Sequence, residues 1–149
     1  MRIMFVCHGN ICRSPMAEFM FKDMLKKRGI SEKYEIASCA VSPEELGNTI
    51  HHGTRKKLLE NNIPFTERYA VLLKKEDASE YDLFICMDRF NVRGVSRILN
   101  GKADEKIHLL MEYAGKTSDV ADPWYTRNFD DSYNDIKEGL EGLLKELEG

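Results

Sequence analysis

Arg2-Ile3-Met4-Phe5-Val6, running straight into Cys7-His8-Gly9-Asn10-Ile11-Cys12-Arg13-Ser14-Pro15, decides the fold. An unbroken apolar run of strand length marks a strand covered on both faces, as in a parallel sheet. Ser14 then offers a helix N-cap, and Pro15 suits the first helical position. Met16, Phe19, Met20 and Met24 follow at i, i+3, i+4 and i+8, the spacing of one helical face. Lys26, Lys27 and Arg28 complement the last turn, and Gly29 ends it. Strand, short polar loop and helix together make the first half of a βαβ unit.

Outward from there the alternation repeats. Tyr34–Ser38 reads as a second strand and Thr49–Asn61 as a helix that stops before Ile63-Pro64. Asp82–Met87 is a third buried strand, with a helix from about Arg89 to Leu99 behind it. Lys106–Leu110 is a short fourth strand. From Glu112 to Asn128 the chain carries Gly115, Ser118, Asp119 and Pro123 and reads as a long loop, a feature that compact domains usually keep for function. Phe129, Tyr133, Ile136, Leu140, Leu143, Leu144 and Leu147 then recur at helical spacing, although Gly139 and Gly142 each cost roughly 1 kcal/mol relative to Ala. The expectation is one α/β domain over residues 1–149, in three αβα layers around a four-stranded parallel sheet. Ligands in such folds sit at the carboxyl ends of the strands, so the loop after the first strand is the place to look.

Composition narrows the function classes. The 149 residues include 22 Lys+Arg and 25 Asp+Glu, a net charge of −3, which gives no basic footprint for nucleic acid. The longest apolar runs are too short to span a bilayer, and His8, Asn10 and Arg13 interrupt any signal-like stretch. A cytoplasmic protein with reduced thiols is expected. Cys39 and Cys86 sit in apolar company and read as packing residues. Cys7 and Cys12 have polar and basic neighbours instead.

The chemistry is concentrated in Cys7–Ser14. A loop wrapped around a helix start turns successive backbone N–H groups inward and forms a concavity for a tetrahedral oxyanion. Gly9 permits φ > 0 or close backbone approach, and Asn10 tolerates a left-handed turn. Arg13 offers a planar fork to two phosphate oxygens. The same dipoles, the helix end and Arg13 favour Cys7 as a thiolate, with the Ser14 hydroxyl as a further donor. A thiolate beneath a phosphate cradle is placed to attack phosphorus in line, while Arg13 and the amides hold the equatorial oxygens. A phenolic leaving group then needs a proton. Asp122-Pro123-Trp124-Tyr125 supplies a carboxyl stiffened by proline, with Trp124 and Tyr125 to flank an aromatic substrate. Asp119 is the competing carboxylate and lacks an aromatic neighbour.

Val6-Cys7-His8-Gly9-Asn10-Ile11-Cys12-Arg13-Ser14-Pro15 and Asp122-Pro123-Trp124-Tyr125 resemble the motifs of the low-molecular-weight protein tyrosine phosphatases, in length and element order over nearly the whole chain. Met87-Asp88-Arg89-Phe90-Asn91 fits a further segment of that family. The resemblance implies hydrolysis of phosphotyrosine in proteins or peptides through a cysteinyl-phosphate. Cys7 would be the nucleophile, Arg13 the phosphate clamp and Asp122 the general acid and later base. His8, Gly9, Asn10, Ile11, Cys12, Arg13 and Ser14 would bind phosphate or another oxyanion, and Trp124 and Tyr125 the ring. The family needs no metal or organic cofactor, and its loop cysteine, here Cys12, can form a reversible disulfide with the nucleophile. The pattern departs at Ser38-Cys39-Ala40-Val41, where the family commonly reads Ser-Ala-Gly-Thr. Glu44 stands where many members place an aromatic cleft wall, and Arg68-Tyr69-Ala70-Val71 matches His-x-Ala-Arg only at Ala70.

Other readings compete. An arsenate reductase on this loop needs a relay of cysteines, and only Cys86 follows the third strand. A protein arginine phosphatase carries Thr where this chain has Ile11, and an apolar Ile11 favours an aromatic ring over a guanidinium. A zinc site from Cys7, His8 and Cys12 lacks the paired-cysteine spacing, and His51-His52 completes it poorly. An anion-binding module without turnover would need no pairing of Cys7 with Asp122.

Overall fold

The computed structural model describes residues 1–149. β1 (Arg2–Cys7) is the spine of the sheet, paired in parallel with β2 (Glu35–Ala40) on one side and β3 (Leu83–Cys86) on the other. β4 (Ile107–Leu109) adds beyond β3, giving the order β2-β1-β3-β4 with every pairing parallel. The chain leaves β1 towards one edge and later returns to its opposite flank. The carboxyl ends of β1 and β3 therefore bound a switch point, where the diverging connections open a crevice.

Helices cover both faces. α1 (Arg13–Lys27), α2 (His52–Glu60) and α6 (Phe129–Glu148) share one face, where Phe5, Phe21, Met16, Leu58, Ile136 and Leu140 are buried together. The single-turn α3 (Asp77–Glu80) and α4 (Arg89–Ile98) lie on the other, over Val6, Phe84, Cys86, Val95 and Leu99. Cys39 and Cys86 are both core residues of this second layer, as their apolar company predicts. No helix is long and apolar enough to cross a membrane.

α1 ends as its sequence indicates. Gly29 adopts φ 73°, its N–H bonds to the Lys26 carbonyl at 3.0 Å, and that of Ile30 bonds to Leu25 at 3.0 Å. This is a Schellman close, which only a residue at ease with positive φ makes without strain. Its start differs from expectation. Cys12, not Ser14, is the N-cap, and no side chain caps the helix. The Ser14 hydroxyl is drawn instead to Cys7 and Asn10.

Other boundaries move as well, and β2 runs on to Ala40, past the expected Ser38. α2 begins at His52 rather than Thr49, because the His51 ring Nδ1 accepts the Gly53 N–H at 3.0 Å and fixes the cap there. The long segment before α6 contains short pieces of its own. A 3₁₀ turn over Leu110–Ala114 closes on Gly115 at φ 72°, and α5 (Pro123–Thr126) is a single turn capped by Asp122.

Candidate active site

The loop from Cys7 to Ser14 is held from outside by its carbonyls. Those of Cys7 and His8 accept from the Val41 and Ser42 amides, and that of Ile11 from His51 N–H at 2.9 Å. The Cys12 carbonyl accepts from Met16 N–H and from Thr54 Oγ1 at 3.1 Å. With the oxygens engaged outward, the amides face the concave side. From His8 to Ser14 only the Asn10 N–H finds an acceptor within the protein, and that acceptor is Cys7 Sγ at 3.3 Å. Backbone donors inside a fold are almost always paired, and a run of them left free around one sulfur can receive an anion.

Asn10 locks this shape. It occupies the left-handed region at φ 60° and is fully buried. Its Oδ1 accepts from the Arg68 guanidinium and from Val71 N–H at 3.1 Å, which settles the orientation of the amide. Nδ2 then donates to Ser14 Oγ at 2.7 Å and to Ser38 Oγ at 2.9 Å. Ser14 Oγ, having accepted from Asn10, has its own hydrogen free for Cys7 Sγ at 3.0 Å. Two donors therefore converge on one sulfur. Ser38 passes its hydrogen to Glu18 Oε1 at 2.6 Å, and Glu18 in turn pairs with Lys22. Arg68 also donates to the Asn10 carbonyl at 2.7 Å. Burial lowers the pKa of Arg68, against an opposing pull from Glu18 and Cys7.

Arg13 rises from the first turn of α1 and is 2% exposed. Its fork reaches Asp88 Oδ2 at 2.9 Å and Asp122 Oδ2 at 3.3 Å. Burial opposes its charge, and Cys7, Asp122 and Asp88 outweigh that and raise its pKa. Asp88 follows β3, so both strands at the switch point contribute to the same crevice. It is also the N-cap of α4 in a reciprocal pair with Asn91, whose N–H it accepts at 2.9 Å.

Asp122 comes from a moored segment. Val120 N–H bonds to the Met87 carbonyl at 2.9 Å, and the Val120 carbonyl accepts from Arg13 Nη1 at 3.2 Å. Ala121 is tied to α6 on both sides, its N–H to Asp135 at 3.0 Å and its carbonyl to Ser132 Oγ at 2.7 Å. Asp122 Oδ1 accepts the Trp124 N–H at 3.0 Å, which leaves Oδ2 facing Arg13. Asp119 is exposed and does not line the cleft.

A cleft of about 890 Å³ opens over the loop. Cys7, His8, Gly9, Ile11, Cys12 and Arg13 form its base, and Trp124 and Tyr125, 62% and 83% exposed, stand at its mouth. Asn10 and Ser14 lie beneath, outside the lining. At the rim His8 Nε2 lies 3.2 Å from Glu44, the residue expected at the wall. Burial and the adjacent Cys7 sulfur push the Cys12 thiol up to about 12. His51 and His52 stack on each other, and His51 also on Phe129, so this pair serves packing and capping.

Arg68, Ser38, Glu18 and Asp88 were not assigned roles by sequence reasoning. Only Asp88 carries a local signal, the Asp-x-x-Asn spacing of a reciprocal helix cap.

The chain is similar to known proteins over nearly its whole length. A family model described as low molecular weight phosphotyrosine protein phosphatase matches residues 2–149. The low molecular weight protein-tyrosine-phosphatase YfkJ of Bacillus subtilis is 35% identical over 148 residues, 98% of this chain and 95% of that protein. Its crystal structure superposes with a TM-score of 0.94 over 99% of this chain and 94% of that one. PtpA of Staphylococcus epidermidis, named likewise, is 35% identical over 143 residues, 95% of this chain and 90% of that protein. The low molecular weight protein tyrosine phosphatase of Streptococcus pyogenes is 34% identical, with a TM-score of 0.90 over 99% of this chain and 93% of that one.

Proposed function

Because the chain belongs to the low molecular weight phosphotyrosine protein phosphatase family, we propose that it hydrolyses phosphotyrosine by way of a cysteinyl-phosphate, with Cys7, Arg13 and Asp122 dividing the work. The observation that carries this reading is the run of free amides from His8 to Ser14 centred on a sulfur that already accepts from Asn10 and Ser14. The Cys7 thiolate attacks phosphorus, and the bond from phosphorus to the phenolic oxygen breaks as the S–P bond forms. Asp122, as the carboxylic acid, gives its proton to the departing oxygen. The loop amides and the Arg13 fork hold the three equatorial oxygens as charge shifts onto them. In the second step Asp122, now a carboxylate, takes a proton from water as the water oxygen attacks phosphorus. The S–P bond then breaks, inorganic phosphate leaves, and the thiolate returns.

Arg13 faces Asp88 and Asp122 across bonds of salt-bridge length. A phosphate that takes two of its N–H groups competes for the fork with Asp122 and frees Oδ2 to face the leaving oxygen. Asp88 keeps hold of the other edge and so orients the clamp. Ile11, Phe90, Trp124 and Tyr125 give the cleft an apolar lining suited to a phenyl ring. This supports phosphotyrosine over phosphoarginine as substrate.

The deciding experiment compares peptides bearing phosphotyrosine, phosphoserine and phosphoarginine, with Cys7→Ser as control. Phosphotyrosine turnover that Cys7→Ser abolishes, while vanadate or phosphate still binds, is the expected result. Faster release from phosphoarginine overturns the substrate assignment. Asp122→Asn should slow esters of poor leaving groups far more than those of good ones, since protonation matters less as the leaving-group pKa falls. Equal slowing across such a series assigns the proton to another group.

A further inference from the structure

The cleft extends well past the loop, and its two long walls carry opposite charge. Its volume of about 890 Å³ is near the upper end of what encloses a drug-sized ligand, more than one phenyl phosphate fills. Glu44 and Glu45 stand on one wall. Phe90, Arg93 and Arg97 stand on the other, spaced three and four residues apart and therefore on one face of α4. Gly94 allows that face to close on the cleft. A Cβ there would lie 2.8 Å from Val41 Cβ, so any larger residue would push α4 away.

The charges on the two walls are not equally engaged. Glu44 pairs with His8 at 3.2 Å, and Glu45 accepts from Asn48 at 2.6 Å. Arg89, at the start of α4, donates to the Thr117 carbonyl at 2.9 Å. Arg93 and Arg97 have no carboxylate or carbonyl partner. The Arg93 guanidinium lies 5.1 Å from the centre of the Phe90 ring, and that ring is 72% exposed. Like charges four residues apart on a helix repel, and within the fold the pair is offset only by the Phe90 ring beside Arg93 and by the place of Arg97 in the last turn of α4.

We propose that Arg93 and Arg97 form a subsite for a second anionic group of the substrate, a side-chain carboxylate or a second phosphate flanking the phosphotyrosine. The proposal rests on the phosphotyrosine reading above. The acidic opposite wall gives the subsite a direction, so an acidic residue is favoured on one side of the phosphotyrosine and repelled on the other. Charge-paired recognition of this kind acts on kcat/KM through encounter and docking and weakens with salt.

The test uses phosphotyrosine peptides carrying Ala, Glu, Lys or phosphoserine on either flank. In one of the two flanks, Glu or phosphoserine should raise kcat/KM about 3- to 10-fold over Ala, as expected for one or two exposed ion pairs, and Lys should lower it. A gain from Glu identifies a carboxylate as sufficient, and a gain from phosphoserine alone identifies phosphate as the ligand. The Arg93→Ala/Arg97→Ala protein should bring the acidic-to-neutral ratio close to 1, and Arg93→Glu/Arg97→Glu should favour the Lys peptide. Reading a ratio within each protein removes any difference in folded fraction. Equal rates for all peptides, or a ratio unchanged in the double alanine protein, overturn the subsite and leave the phosphatase reading intact. No turnover of any phosphotyrosine peptide, with phosphoarginine cleaved, overturns both.

Discussion

Arg68→Met removes the two donors that hold Asn10 in its left-handed turn while keeping most of the apolar stem. The Asn10 carbonyl then has no partner, and its Oδ1 keeps only the Val71 N–H at 3.1 Å. A hydrogen bond to a charged group contributes about 1.5–3 kcal/mol net. Arg68 is half-buried, so screening brings each bond down to about 1–1.5 kcal/mol, or about 2–3 kcal/mol for the pair. For a chain of this length that corresponds to a melting temperature about 5–10 °C lower. If about half of the loss falls on the loop itself, kcat/KM drops roughly tenfold, since tenfold is 1.4 kcal/mol. Calorimetry and p-nitrophenyl phosphate turnover measure the two parts. Arg68→Lys should fall between, because one ammonium cannot reach both oxygens in the geometry of the fork. A Met variant that melts within about 1 °C of the parent and turns over at the same rate would show that Asn10 keeps its turn unaided and that this reasoning is wrong.

Ser14→Ala should reduce kcat/KM roughly 10- to 100-fold and slow alkylation of Cys7, because it deletes a donor to the sulfur; parental rates in both assays would count against that donor. At neutral pH iodoacetamide should label Cys7 while sparing Cys12, whose thiol burial holds up at about 12; mass spectrometry of the labelled peptides checks this. Gly142→Ala places a Cβ 1.9 Å from the Tyr113 carbonyl oxygen. Overpacking of about 3 kcal/mol less the roughly 1 kcal/mol of helix propensity regained leaves a net loss of about 2 kcal/mol, to be read from denaturant titration. Glu148 accepts from Tyr34 and Lys33, and these bonds lower its pKa. Its contribution is present above the unfolded carboxylate value of about 4.3 and disappears as pH falls through the lower folded value. Glu148→Gln should therefore remove part of the acid-side loss of stability and leave the neutral-pH titration shape unchanged.

The strand, loop and first helix were legible because their signals are local. Apolar runs, Pro15 and Gly29 each act within a few residues, and the Schellman close at Gly29 is written in its own turn. Asp122 stood out for the same reason, as an acid joined to proline and aromatics, and its carboxylate lies 3.3 Å from Arg13. Ser14 was read wrongly as a helix cap: its hydroxyl lies 3.0 Å from Cys7 Sγ, and nothing nearby in sequence shows that Cys7 and Asn10 compete for it. Arg68 and Glu18 were illegible because their partners lie across the fold, at Asn10 and Ser38. Gly139 and Gly142 read as helix costs. The structure gives their reason, since a Cβ at either would strike Leu110 or Tyr113. A close approach between distant segments leaves no periodic trace.

The mooring of Val120 and Ala121 has a kinetic meaning. Bonded to the end of β3, to the Arg13 guanidinium and to α6, the backbone just before Asp122 has no hinge about which to swing. In many hydrolases a flap must shut before its proton donor arrives, and turnover inherits the tempo of that motion. Under the roles proposed above, the Asp122 carboxyl is stationed in advance, and the exposed Trp124 indole and Tyr125 phenol lie beyond that mooring. Thickening the solvent should thus leave the bond-breaking step untouched, and any drag it exerts belongs to the arrival and departure of the peptide.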